Sequence, residues 1–104
     1  MKVLFNTDSN VTINDALNES FTQMVTDDLI KYDDQITRVE VHFSDENAGK
    51  EAQNDKRCLL EVRLAGLKPL AVTDNANSYQ QALMGALDKM NNAIGNLIGR
   101  LNEN

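Results

Sequence analysis

The sequence predicts a small α+β domain whose elements run β-α-β-β-β-α. Two stretches repeat apolar residues every three or four positions, as one face of a helix does. Two others alternate apolar and polar residues, as a strand with one buried face does. Proline and turn-forming residues fall between these stretches. At 104 residues the chain reads as one domain, 1–104, with room for a single core.

Residues 2–7 (KVLFNT) bring the β-prone Val3, Leu4 and Phe5 together and end at the turn-forming Asp8-Ser9-Asn10, which predicts a first strand. Over residues 14–30, Leu17, Phe21, Val25 and Leu29 recur every four positions and draw one apolar stripe along a helix. Thr12 or Asn14 can cap it, and Asp15 and Glu19 near its start suit the positive end of the helix dipole. Residues 31–35 (KYDDQ) break that pattern. In ITRVEVHF, residues 36–43, Val39, Val41 and Phe43 alternate with Arg38, Glu40 and His42. The polar, aperiodic residues 44–56 read as a long mobile hairpin loop. In RCLLEVRLAG, residues 57–66, Cys58, Leu60, Val62 and Leu64 point one way and Leu59, Glu61 and Arg63 the other. A Gly66-Leu67-Lys68 turn follows, and Pro69, which has no N–H to donate, pushes the short strand 70–73 to a sheet edge. The last helix, residues 78–101, opens with Ser78 and Gln81 spaced as a capping box. Leu83, Leu87, Met90, Ile94, Leu97 and Leu101 then form one stripe, while Gly85, Gly95 and Gly99 each weaken the helix by about 1 kcal/mol relative to alanine.

Composition narrows the function classes. The longest apolar runs are a few residues, and the N-terminal MKVLFNTDSN shows no apolar signal region, so no membrane partner and a cytoplasmic location are expected. The single Cys58 fits a reducing compartment. The formal charge of −6 and pI of about 4.6 argue against a general polyanion binder. That charge is uneven: residues 1–35 set Lys2 and Lys31 against seven carboxylates, whereas the remainder is nearly balanced. No phosphate loop, dinucleotide fingerprint, Gly-x-Ser-x-Gly or His-Glu-x-x-His occurs, so neither an enzyme nor a cofactor is expected. His42, without companion ligands, reads as a solvated strand residue, and Cys58 as a small core residue. The pairs Asp27-Asp28 and Asp33-Asp34 lack the spacing of a calcium loop and read as a solvated face.

The element order, the strings VTINDAL and ITRVEVHF, and above all SYQQALMGALDKM carry a resemblance that spans nearly the whole chain. They resemble the short ribosome hibernation-promoting factors and ribosome-associated inhibitors, also called the sigma-54 modulation family. Ser78 stands in place of that family's acidic cap and Asp88-Lys89-Met90 in place of its Asp-Lys-Leu; Tyr79 falls one position early and takes no role from it. The resemblance implies two helices packed on one face of a four-stranded sheet, similar to a double-stranded RNA-binding domain. It also implies binding to the 30S subunit between head and body, over the messenger and transfer RNA sites. Such a protein would hold ribosomes idle by steric exclusion, through lysines and arginines on 16S rRNA phosphates.

Most of those cations are replaced here. After Lys89 the customary basic positions hold Asn92, Gly95 and Asn96, with Arg100 further on; on the first helix they hold Asn18, Gln23, Met24 and Asp27, and Lys31 remains at its end. The candidate RNA contacts are therefore Lys89, Arg100 and Lys31, with Arg38 and Arg63 behind them. Two readings stay open. One is a ribosome-associated regulator. The other is a protein-interaction module on the same fold, whose acidic first helix meets a basic protein or whose last apolar stripe continues into a self-association seam.

Overall fold

The computed structural model describes residues 1–9, 11–46 and 53–102. Strand β1 (Lys2–Thr7) pairs in parallel with β2 (Ile36–Asp45), so the chain between them must cross over the sheet, and helix α1 (Asp15–Leu29) makes that crossing. A 3₁₀ turn over Ile30–Tyr32 ends the helix. Strands β3 (Lys56–Leu64) and β4 (Leu70–Ala76) continue the sheet antiparallel in the order β1-β2-β3-β4, and helix α2 (Tyr79–Leu101) closes the fold. As expected, the strand after Pro69 lies at an edge.

Alternation sorts the strands into two faces. Val39, Val41 and Phe43 of β2 and Cys58, Leu60, Val62 and Leu64 of β3 are buried in one cluster with Phe21, Val25 and Leu29 of α1 and Ala82, Leu83, Ala86, Leu87, Met90 and Ile94 of α2. Both helices therefore cover the same face. Each such aliphatic side chain contributes roughly 1.5–3 kcal/mol by leaving water. Four rings tie the elements at one end of the core. Phe21 and Phe43 lie 5.3 Å apart between centroids, Phe43 and Tyr79 5.1 Å, and Phe5 and Phe43 6.2 Å.

The caps form largely as read. Asn14, not Thr12, caps α1, its Oδ1 accepting from Leu17 N–H at 2.8 Å. Ser78 Oγ accepts from Gln81 N–H at 3.1 Å, but Gln81 stays exposed and returns no side-chain bond, so only half of the capping box is made.

Three boundaries differ from the sequence reading. The hairpin strands reach past the apolar alternation, to Asp45 and from Lys56, because Ser44 pairs with Arg57 and Asp45 with Lys56, and Lys56 Nζ meets Asp45 Oδ2 at 2.9 Å. The centre of the expected loop, residues 47–52, lies outside the described residues. Strand β4 runs past Thr73 to Ala76 because Asp74, Asn75 and Ala76 pair with Cys58, Arg57 and Lys56; ladder pairing overrides the poor strand propensity of Asp and Asn. Finally, both helical stripes are shorter than their periodicity: Leu17 is 44% and Leu101 56% exposed, while Val11 joins the core from ahead of α1.

Candidate nucleic-acid interface

The five candidate cations divide between the two sides of the molecule. Arg38 and Arg63 lie on the open face of the sheet, which no helix covers. In-register pairing sets Lys2, Arg38 and Arg63 side by side across three strands, with Leu4, Glu40 and Glu61 in the next row. Like charges directly opposite on a sheet repel, and carboxylates two residues along offset this. Arg38 meets Glu40 at 3.3 Å, while Arg63 meets Glu61 at 3.3 Å and Glu40 at 4.0 Å. Further along the same face Arg57 meets Glu46 at 3.6 Å. His42 is half-buried on this face, and no group of three metal-ligating side chains occurs among the described residues.

Lys31, Lys89 and Arg100 lie on the helix side. Lys89 is turned across to the sheet edge, where its ammonium donates to Thr73 O at 2.7 Å and to Asp74 Oδ1 at 3.1 Å. Asp74 reaches the helix side because its β4 position pairs with Cys58, a core-facing residue. There it lies against Gly85, where a Cβ would come within 2.6 Å of the Asp74 Cγ. Any larger residue at this point would make the Asp74 carboxylate turn away. Lys31 sits 5.1 Å from the centroid of the Tyr32 ring. Arg100 is exposed in the last turn of α2, where a cation complements the helix dipole. Among the described residues neither Lys31 nor Arg100 has an ion pair.

Packing accounts for one of the replaced cations. A Cβ on Gly95 would meet the Tyr32 hydroxyl of the 3₁₀ turn at 3.2 Å, so a basic side chain there would crowd that hydroxyl by a few tenths of an ångström. Met24, Asp27 and Asn92, at three other customary basic positions, line recesses between the helices. Asn91 joins the helices there, donating through Nδ2 to Asp28 Oδ2 at 2.8 Å.

The remaining titratable groups serve structure. Cys58 is fully buried, and desolvation, helped by the Asp74 charge, pushes its thiol up to about 12; a thiol held neutral is a poor nucleophile. Burial also raises the Tyr79 phenol, and a hydrogen bond to Asp45 holds the Lys56 ammonium above its usual range. The sequence reading gave no site role to Asp74, Gly85 or Lys2. The strand alternation carried the signal for Lys2, whereas Asp74 emerges only from the register of β4 on β3.

Comparison with known proteins agrees with this architecture. The family model described as Sigma 54 modulation protein / S30EA ribosomal protein matches residues 6–102. The Thermus thermophilus Protein Y N-terminal domain is similar at a TM-score of 0.72 with 18% identity, over 93% of this chain and 99% of that one. A ribosomal subunit interface protein from Coxiella burnetii is similar at a TM-score of 0.72 with 15% identity, over 95% and 99%. At these identities the likeness is one of fold. No curated protein matches. With nearly its whole length matched by the family model, this chain belongs to the Sigma 54 modulation protein / S30EA ribosomal protein family, a ribosome-associated family of translation regulators that are not enzymes.

Proposed function

We propose that residues 1–104 act as one hibernation-factor-like domain that binds the small ribosomal subunit on 16S rRNA in the decoding region and holds ribosomes inactive by steric exclusion. The observation that carries this reading is the family match over residues 6–102. Exclusion needs no reacting group, only a rigid body in the right place, and a slab of 51 × 25 × 19 Å with a single buried cluster from both helices and the sheet suits that task. In this reading the chain works with ribosomes in the cytoplasm. No helix among the described residues is long and apolar enough to cross a membrane.

In this reading Lys31, Lys89 and Arg100 meet RNA phosphates from the helix side, and Arg38 and Arg63 from the open sheet face. Lys31 and Arg100 are ready for contact. Lys89, Arg38 and Arg63 must exchange Asp74, Glu40 and Glu61 for phosphate. Each exchange trades one partly exposed ion pair for another, so the gain per contact is small. A second reading, a protein-interaction module that has lost rRNA binding, is favoured by the acidic lining between the helices. A self-association seam along α2 is less favoured, since Leu83, Leu87, Met90 and Ile94 are spent on the chain's own core.

The test is sedimentation of the purified chain with isolated small and large subunits, with and without messenger and transfer RNA. The ribosome reading predicts that it pellets with small subunits and is released when those sites are filled. A chain that pellets equally with both subunits, or is indifferent to messenger and transfer RNA, overturns the decoding-region placement.

A further inference from the structure

We propose that the groove between α1 and α2 is a docking site for a lysine- and arginine-rich amphipathic segment of a protein. This goes beyond the ribosome reading and does not depend on it. Met24 and Met84 form an apolar floor over the buried core residue Leu87, with Asp27, Asp28 and Asp88 around it and Gln80 at one side, in an open recess of about 420 Å³. An adjoining recess of about 600 Å³ shares the three aspartates and extends past Ile30, Asn91 and Asn92 to Lys31. Met84 is 52% and Ile30 57% exposed, so each recess presents one large apolar side chain to water.

Unlike the carboxylates of β2, β3 and β4, the three in this groove form no ion pair among the described residues. Glu40, Glu46, Glu61, Asp45, Asp55 and Asp74 each face a lysine or arginine of the chain. In the groove, Asp27 accepts from the Gln23 amide at 2.7 Å and Asp28 from the Asn91 amide at 2.8 Å, donors that orient a carboxylate and leave its charge in place. Asp88 is exposed and has no ion pair among the described residues. Around the Met24–Met84 floor three negative charges disfavour phosphate, and Lys31, the one lining cation among the described residues, stands at the far end of the adjoining recess. The three carboxylates complement a helix with apolar residues on one face and ammonium or guanidinium groups on its flanks. Methionine suits the floor of such a site because its unbranched thioether adapts to differing side chains.

The experiment titrates the full-length ¹⁵N-labelled chain with a synthetic peptide of about 15 residues carrying leucine and lysine at helical spacing, and in parallel with a single-stranded RNA oligonucleotide. The expected result is peptide-induced amide shifts concentrated in residues 24–31 and 80–92. The double variant Asp27→Asn with Asp88→Asn should bind about tenfold more weakly, and Met84→Ser should also weaken binding. Asp15→Asn with Glu19→Gln removes the same two charges from the exposed start of α1 and should leave affinity nearly unchanged. Equal loss in both double variants, peptide shifts spread over the sheet, or groove shifts produced by the RNA in place of the peptide would overturn the proposal.

Discussion

Gly85→Ala should reveal how tightly Asp74 is held between the sheet and α2. In an unconstrained helix interior this change stabilises by about 1 kcal/mol. Here the new Cβ would fall on the Asp74 carboxylate, with Cγ at 2.6 Å but the Asp74 Cβ at an ordinary 3.4 Å, so the side chain must turn away and the backbone need not move. Turning costs the Lys89 ion pair, about 0.2–1 kcal/mol because both partners are partly exposed, and about 0.5–1.5 kcal/mol for a strained rotamer. These losses cancel most or all of the gain, leaving Gly85→Ala between about 0.3 kcal/mol stabilising and about 1.5 kcal/mol destabilising. In an Asp74→Ala background the obstruction is gone, and the same substitution should stabilise by about 1 kcal/mol. Urea unfolding of the four proteins, followed by circular dichroism, closes this double-mutant cycle. The reasoning is refuted if Gly85→Ala stabilises the wild type by as much as it stabilises the Asp74→Ala protein.

Three further outcomes are expected. Asn92→Lys restores a customary cation at an exposed position and should tighten ribosome binding while steepening its salt dependence by about one unit. Ser78→Ala removes the bond to Gln81 N–H and should cost about 1 kcal/mol, a fall of roughly 4–8 °C in thermal midpoint. The Cys58 thiol rises from 9.0 to about 12 on folding, so its contribution to stability is complete below pH 9 and lost as pH climbs toward 12. Unfolding free energies measured across that window should fall less in Cys58→Ala than in the wild type, and native Cys58 should resist thiol reagents that label it in urea.

The sequence made the elements legible because each carries its own period. Val39, Val41 and Phe43 could only be a half-buried strand, and Leu83 through Ile94 only a helix face against it. What it hid depends on partners distant along the chain. Leu17 and Leu101 fit their stripes perfectly, yet the helices project there past the surface that buries Phe21 and Ile94. Asp74 fell outside the strand read as residues 70–73, and only its pairing with Cys58 turns it toward Lys89. Spacing counted Lys89, Arg38 and Arg63 as cations, and only the register and the helix packing show each of them already facing a carboxylate. The acidic groove was half visible in Asp27-Asp28, but Asp88 and Met84 join it only because the two helices lie side by side.

The most direct test of the central claim is the affinity of the purified chain for small subunits across a salt series, read by sedimentation. Five cations at about 0.7–0.9 counterions each allow a slope of log affinity against log salt no steeper than about −4.5. The account predicts small-subunit binding at low salt with a slope within that limit, weakened by neutralising Lys31 and Arg100. A chain that stays in the supernatant even at the lowest salt would contradict it.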